Sequence, residues 1–220
     1  MRLRPNKRFQ ATALALRARP APEPRRWASN MIRTALLSAF LVTITGCASS
    51  GPIAPPVTPG QSFSGSYLNI EAPNSEGWHL MQNSAAGIAF STGDPTDSVV
   101  ANVARFGLPP TATPDDFVAY IRAGVEKDTD PARFEIMRSD FTYTNVRGYP
   151  CVRFDGLSQD KKPHGSSTPL LLELVSLYCR HPVRQDSGFM ASYSHRGKEH
   201  RPTFESEAER FFQGVQVRDH

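Results

Sequence analysis

Between Arg33 and Cys47 the chain carries an unbroken run of apolar and small residues, 34–45, and this run limits what everything around it can become. Its twelve residues fall short of the roughly 20 that a helix needs to cross a hydrocarbon core of about 30 Å. A buried core helix is the alternative, but no helix cap precedes the run and proline-rich sequence follows Cys47 at once. A short apolar stretch behind a basic residue has instead the length and flanks of a signal-peptide core. Residues 63–220 are then the only stretch left with enough sequence to build a hydrophobic core.

The end of the run, Leu41-Val42-Thr43-Ile44-Thr45-Gly46-Cys47, resembles the lipobox of bacterial envelope lipoproteins. The resemblance implies that Cys47 becomes the first residue of the mature chain. It would carry a thioether-linked diacylglycerol and an N-acyl chain such as palmitate, and three chains exceed the two that stable attachment needs. Ala48 stands where an inner-membrane retention signal has Asp, so the resemblance places the protein on the outer membrane, facing the periplasm. Residues 1–30 hold eight Arg or Lys against Glu23 alone. They are either an over-long basic leader or lie ahead of a true start at Met31, which gives a signal peptide of ordinary length. Residues 1–46 are read as a dispensable basic extension plus a cleaved lipoprotein signal peptide.

Removing them inverts the charge. The full chain is +4, but nine of its 25 basic residues and one of its 21 acidic residues precede Cys47, so residues 47–220 carry 16 against 20, or −4. The basic isoelectric point belongs to the leader and gives no support for nucleic-acid binding.

Residues 47–62, with four prolines after the cysteine, read as an extended tether able to hold a domain up to roughly 45 Å from the bilayer. From 63 to 220 one α+β domain is expected. Strands are predicted over 67–70, 87–91 and 98–106, the last apolar on both faces and therefore central. A helix then starts at the N-cap Thr113, with Pro114 in its first turn and Asp115 and Asp116 at the positive end of the dipole. Phe117, Tyr120, Ile121 and Val125 form its inner stripe, and Pro131 stops it. Strands follow over 134–143, 149–157, 170–179 and 188–195, with a turn at 145–148. Thr203 caps a second helix with an apolar face of Phe204, Ala208, Phe211 and Phe212, ended by Gly214, and 215–217 is a short strand or tail.

This order, together with Gly77-Trp78 after the first strand and the closing helix Glu207-Ala208-Glu209-Arg210-Phe211-Phe212, resembles the PsbP-like fold over residues 65–217. The resemblance implies an antiparallel sheet flanked by two main helices, an α/β/α sandwich. It also implies a scaffold that binds other proteins more often than it does chemistry, and it carries over no functional residue.

With Cys47 lipidated, Cys151 and Cys179 remain, an even pair in an oxidising compartment on neighbouring antiparallel strands. A structural disulfide is expected; the C-x-x-C spacing of redox pairs is absent. Trp78 is expected to fill the core. The topology gathers Lys161, Lys162 and His164 near His195, Arg196, Lys198, His200 and Arg201 at one end of the sheet. That end is a candidate metal site through His164, His195 and His200, or an anion site through Lys161, Lys162, Arg196, Lys198 and Arg201. Solvated polar loops explain the same residues without a ligand, and Asp160 and Glu199 dilute the charge. Glu205, Glu207 and Glu209 read as the exposed face of the last helix. No catalytic motif, nucleotide loop or cofactor signature occurs. The expected function is therefore a non-enzymatic binding or accessory subunit of the envelope, with the lipid bilayer and an envelope protein as partners. A ligand-, anion- or metal-binding protein is the alternative.

Overall fold

The computed structural model describes residues 54–65 and 67–218. The leader, Met31 and the lipidation expected at Cys47 lie outside the described residues.

The elements run β1 (Ser62–Ser64), β2 (Leu68–Glu71), β3 (His79–Ser84), β4 (Gly87–Asp94), β5 (Asp97–Gly107), α1 (Pro114–Asp128), β6 (Phe134–Thr144), β7 (Cys151–Asp160), β8 (Leu170–Arg180), β9 (Ser187–Gly197), α2 (Phe204–Gln213) and β10 (Val215–Val217). Seven strands form one antiparallel sheet in the order β3-β4-β5-β9-β8-β7-β6, and β1-β2-β10 form a smaller one. The fold class is α+β, as expected.

The helices cover opposite faces, and the alternation of side chains along each strand decides which. Cys151, Val175, Leu177, Cys179, Ala191 and Tyr193 point to one face, where they pack with Phe204, Ala208, Phe211 and Phe212 of α2. The smaller sheet joins that layer through Leu68, Ile70 and Val215. Val152, one residue on from Cys151, points the other way and packs with Phe117 and Ile121 of α1, beside Phe106, Phe141 and Tyr178. The α1 start is a capping box: the Asp116 amide donates to Thr113 Oγ1 at 3.1 Å while the Asp116 carboxylate accepts from the Thr113 amide at 3.0 Å.

Cys151 and Cys179 are direct register partners on β7 and β8, with Cα atoms 4.0 Å apart, and they form the expected disulfide. Trp78 is buried, and its indole Nε1 donates to Ser75 Oγ at 2.9 Å, a core position as expected.

Two features differ from the sequence reading. Strands β1 and β3 are additional; β3 (HLMQNS) lies at the sheet edge, is mostly exposed and is broken by a register shift between Leu80 and Gln82, so it lacks the alternation that marks a strand. The tether is also shorter. Val57 is buried, its amide donates to the Trp78 carbonyl at 2.9 Å, and the Leu80 amide donates to Pro55 at 2.9 Å, so the domain takes up the chain from Pro55 onward. Of the tether expected over residues 47–62, only residues 47–54 then precede the domain.

Candidate functional site

β8 and β9 carry Glu173 and His195 directly opposite one another on the face that α2 covers, near the end where β9 runs into the loop before α2. Glu173 is the hub. Its Oε2 accepts from His195 Nδ1 at 2.8 Å and from the Arg201 amide at 2.9 Å, and its Oε1 meets His200 Nδ1 at 3.0 Å. His195 Nε2 meets Asp97 Oδ1, at the start of β5, at 3.0 Å. The ring thus lies between two carboxylates. Gly197 makes this possible, because a Cβ there would come within 2.7 Å of the His195 ring.

A second carboxylate ties α2 to the same end. Glu207 takes Arg201 in a two-pronged pair at 2.8 and 3.0 Å, accepts from the buried Tyr193 hydroxyl at 2.9 Å and from Thr203 Oγ1 at 2.7 Å. Thr203 is the N-cap by position, but its hydroxyl is given to Glu207 and makes no cap hydrogen bond. Arg153, reaching up from β7, is clasped by Asp155, Glu205 and Glu209. The three glutamates read as an exposed helix face are thus fasteners between helix and sheet.

The third node is Asp160 at the end of β7, fully buried and held by Arg133 through Nε at 3.0 Å and Nη2 at 2.7 Å. Arg196 Nε approaches at 3.4 Å and the Lys162 amide donates at 3.2 Å. Burial pushes the carboxyls of Asp160, Glu173 and Glu207 up. In each case the hydrogen bonds and positive charges around them outweigh it and hold the group below the ordinary carboxylate value.

The sequence therefore places His195, Arg196, His200 and Arg201 at the correct end of the sheet, but their partners change the chemistry. Both nitrogens of His195 face carboxylates, Glu173 and Asp97. His164 is exposed on the loop between β7 and β8, and among the described residues no three potential ligands converge. Of the expected anion contacts, Arg196 and Arg201 face Asp160 and Glu207, and Lys161 Nζ donates to the Pro131 carbonyl at 3.2 Å. Lys162 and Lys198 are exposed. The assembly pairs its cations with carboxylates, and its effect is to pin the 198–203 segment and the start of α2 to the sheet. Replacement of Glu173 by Gln is expected to destabilise by about 1–2 kcal/mol, read as a lower urea midpoint, with loss of amide protection at Arg201.

No family model matches the chain, and no curated protein matches it. Among solved structures it is similar to LpqN of Mycobacterium tuberculosis, a protein involved in cell envelope biogenesis, at 14% identity over 75% of this chain and 90% of that one, with a TM-score of 0.42. It is similar to the cyanobacterial PsbP of Synechocystis sp. PCC 6803 at 13% identity over 80% of this chain and 99% of that one, with a TM-score of 0.47. A third likeness is to the Ran-binding protein Mog1p of Saccharomyces cerevisiae, at 10% identity over 68% and 89% of the two chains, with a TM-score of 0.39. Likenesses this distant carry no argument about what the chain does.

Proposed function

We propose that the chain is a lipid-anchored protein of the bacterial cell envelope whose folded domain works, without chemistry of its own, as a binding or accessory subunit on the periplasmic side of the outer membrane. The lipobox-like sequence at Cys47 supports the anchor. The observation that carries the binding role is the outer edge of the large sheet. There, among the described residues, β6 has β7 on one side and no strand on the other. Native edges are usually blunted by charge, proline or a bulge. This one has a register shift between Ile136 and Arg138, yet it leaves Ile136 and Met137 52% and 59% exposed.

Beside them lies a groove of about 530 Å³, open to solvent and lined chiefly by apolar groups, among them Val125, Phe134, Phe154, Leu172 and Leu174. Gly156 shapes its floor: a Cβ there would meet the Phe154 ring at 2.7 Å, so the glycine lets that ring lie down against Phe141, 4.7 Å between centroids. An exposed apolar edge with an adjoining groove suits a partner that presents apolar side chains. The short tether suits an assembly at the membrane, where local concentration substitutes for intrinsic affinity.

The test is to cross-link the protein in its own envelope and identify what co-purifies, in parallel with the I136D/M137D double variant. A stoichiometric complex is expected for the native chain and its loss in the variant, with the melting temperature nearly unchanged because both side chains are exposed. Recovery of the native protein alone would overturn the accessory role.

A further inference from the structure

The other end of the sheet is built differently. Arg105 near the end of β5 pairs in register with Phe189 near the start of β9, whereas His195 pairs with Val99 at the far end. Arg147 and Arg180 also lie at the Arg105 end, and both donate to backbone carbonyls: Arg147 to Phe212 and Val215, Arg180 to Pro109 and Gln185. Arg105 and Arg184 instead converge on one aromatic ring. Their Cζ atoms sit 4.4 and 3.9 Å from the centroid of Tyr67, and Arg184 Nη1 also donates to the Tyr67 hydroxyl. Among the described residues neither guanidinium has a carboxylate within ion-pair distance, although residues 47–220 hold 20 acidic side chains against 16 basic. At the histidine end Arg133 and Arg201 each have a bidentate carboxylate partner.

We infer that the Arg105–Tyr67–Arg184 stack is a binding site for a phosphate group. Two cations held against the same ring repel one another, and a doubly charged anion at the rim of the ring removes that repulsion. Planar guanidinium forks present paired N–H groups that match phosphate oxygens. Among the described residues Arg105 gives no guanidinium N–H to a protein acceptor, and Arg184 gives one, to Tyr67.

The parts are also fixed in advance. The Tyr67 carbonyl accepts from the Arg218 amide at 2.8 Å, and its ring meets the edge of His181 at 5.4 Å. The Arg184 amide donates to His181 Nδ1 at 3.2 Å, and its carbonyl accepts from the Ser187 amide at 3.0 Å. On the Arg105 side of the ring, Arg105 and Tyr67, without Arg184, line a cleft of about 200 Å³ that also holds Ser64, Asn83 and Ser84 and no carboxylate. That is below the roughly 300 Å³ of sites for whole small molecules, so it fits the charged group of a ligand whose remainder lies outside.

Free phosphate and a phospholipid headgroup present the same chemistry, and two measurements separate them. One is calorimetric titration of the purified full chain with inorganic phosphate. The other is sedimentation with vesicles of phosphatidylglycerol and phosphatidylcholine against phosphatidylcholine alone. Each is repeated on the R105Q/R184Q variant, which cancels any contribution from the basic leader. Each substitution is expected to weaken binding about tenfold, R184K less than R184Q, with an unchanged melting curve because both side chains are exposed. Saturable phosphate binding lost in the double variant assigns a free anion. Loss of phosphatidylglycerol binding in the double variant, without phosphate binding by the native chain, assigns a headgroup. Binding to either that the double variant retains in full, or binding to neither, would overturn the site.

Discussion

Replacing Cys151 and Cys179 together by alanine is expected to lower the stability of the domain by roughly 3.5 kcal/mol in the chain-entropy account of a loop of this length. The two half-cystines are separated by 28 residues in sequence and are both fully buried. They join the strands at the end opposite to the β7–β8 loop, so the bond closes the mouth of a hairpin whose other end the chain already closes. It also lies inside the core that packs under α2. Strand β7 carries Arg153, which holds two glutamates of α2, and loosening it should therefore loosen the helix as well. The measurement is a pair of urea titrations, native protein with and without reductant, beside the double alanine variant. For a domain of this size the expected loss corresponds to a melting temperature lower by about 10 °C. An unchanged midpoint together with free thiols by intact mass would show that the bond contributes nothing.

The D160N variant is expected to cost about 2–3 kcal/mol. Removing one partner of a buried pair typically costs about 3–5 kcal/mol because it strands the other charge. Here Arg133 is 35% exposed and recovers part of that from water. The amide matches the carboxylate in shape but turns an NH₂ towards guanidinium groups that can only donate.

The effect should depend on pH with a definite sign. The folded carboxyl of Asp160 lies below its ordinary value of 3.8, since Arg133, Arg196 and the Lys162 amide outweigh burial. Its contribution is complete above that value and disappears as pH falls through the depressed folded value. Glu173 and Glu207 behave alike from an ordinary value of 4.5. Urea midpoints should therefore fall below about pH 4.5, and the gap between native protein and D160N should narrow as pH drops. A gap independent of pH would assign the loss to packing and not to charge.

Where a residue's role is set by its near neighbours, the sequence discloses it. The start of α1 is written in Thr113-Pro114-Asp115-Asp116, all within one turn. The Cys151–Cys179 bond is readable because parity, the expected compartment and hairpin geometry point the same way. The correct end of the sheet for His195, His200 and Arg201 follows from alternating strand direction. What alternation does not contain is pairing across distant segments. Glu173 takes His195 on the neighbouring strand and Arg201 beyond it, and Asp160 takes Arg133 from the turn before β6. A set of cations that reads as an anion site becomes a clasp of ion pairs once those carboxylates are placed. The converse holds at the other end. Tyr67, Arg105 and Arg184 come from three remote segments and share no spacing that a linear reading could detect. Strand β1 is only three residues long and β3 is an exposed edge without alternation, and their pairing comes from the sheets that receive them.

The order β3-β4-β5-β9-β8-β7-β6 has a kinetic consequence. Strands β3 to β5 and β6 to β9 are two meanders, each zipped through connections between consecutive strands. Within the large sheet they pair only along the seam from Ser98 with Arg196 to Gly107 with Ser187. Closing that seam brings together the most distant pairings in the large sheet, after α1 has carried the chain across to the opposite edge, and it sets the pace of folding. A chain cut in the turn after α1 would thus leave two pieces, each with its own hairpins intact. Their reassociation, through this ten-pair seam, the β2–β10 pairing and the packing of α1 on β6 and β7, would become a second-order reaction, visible as a folding rate that rises with concentration.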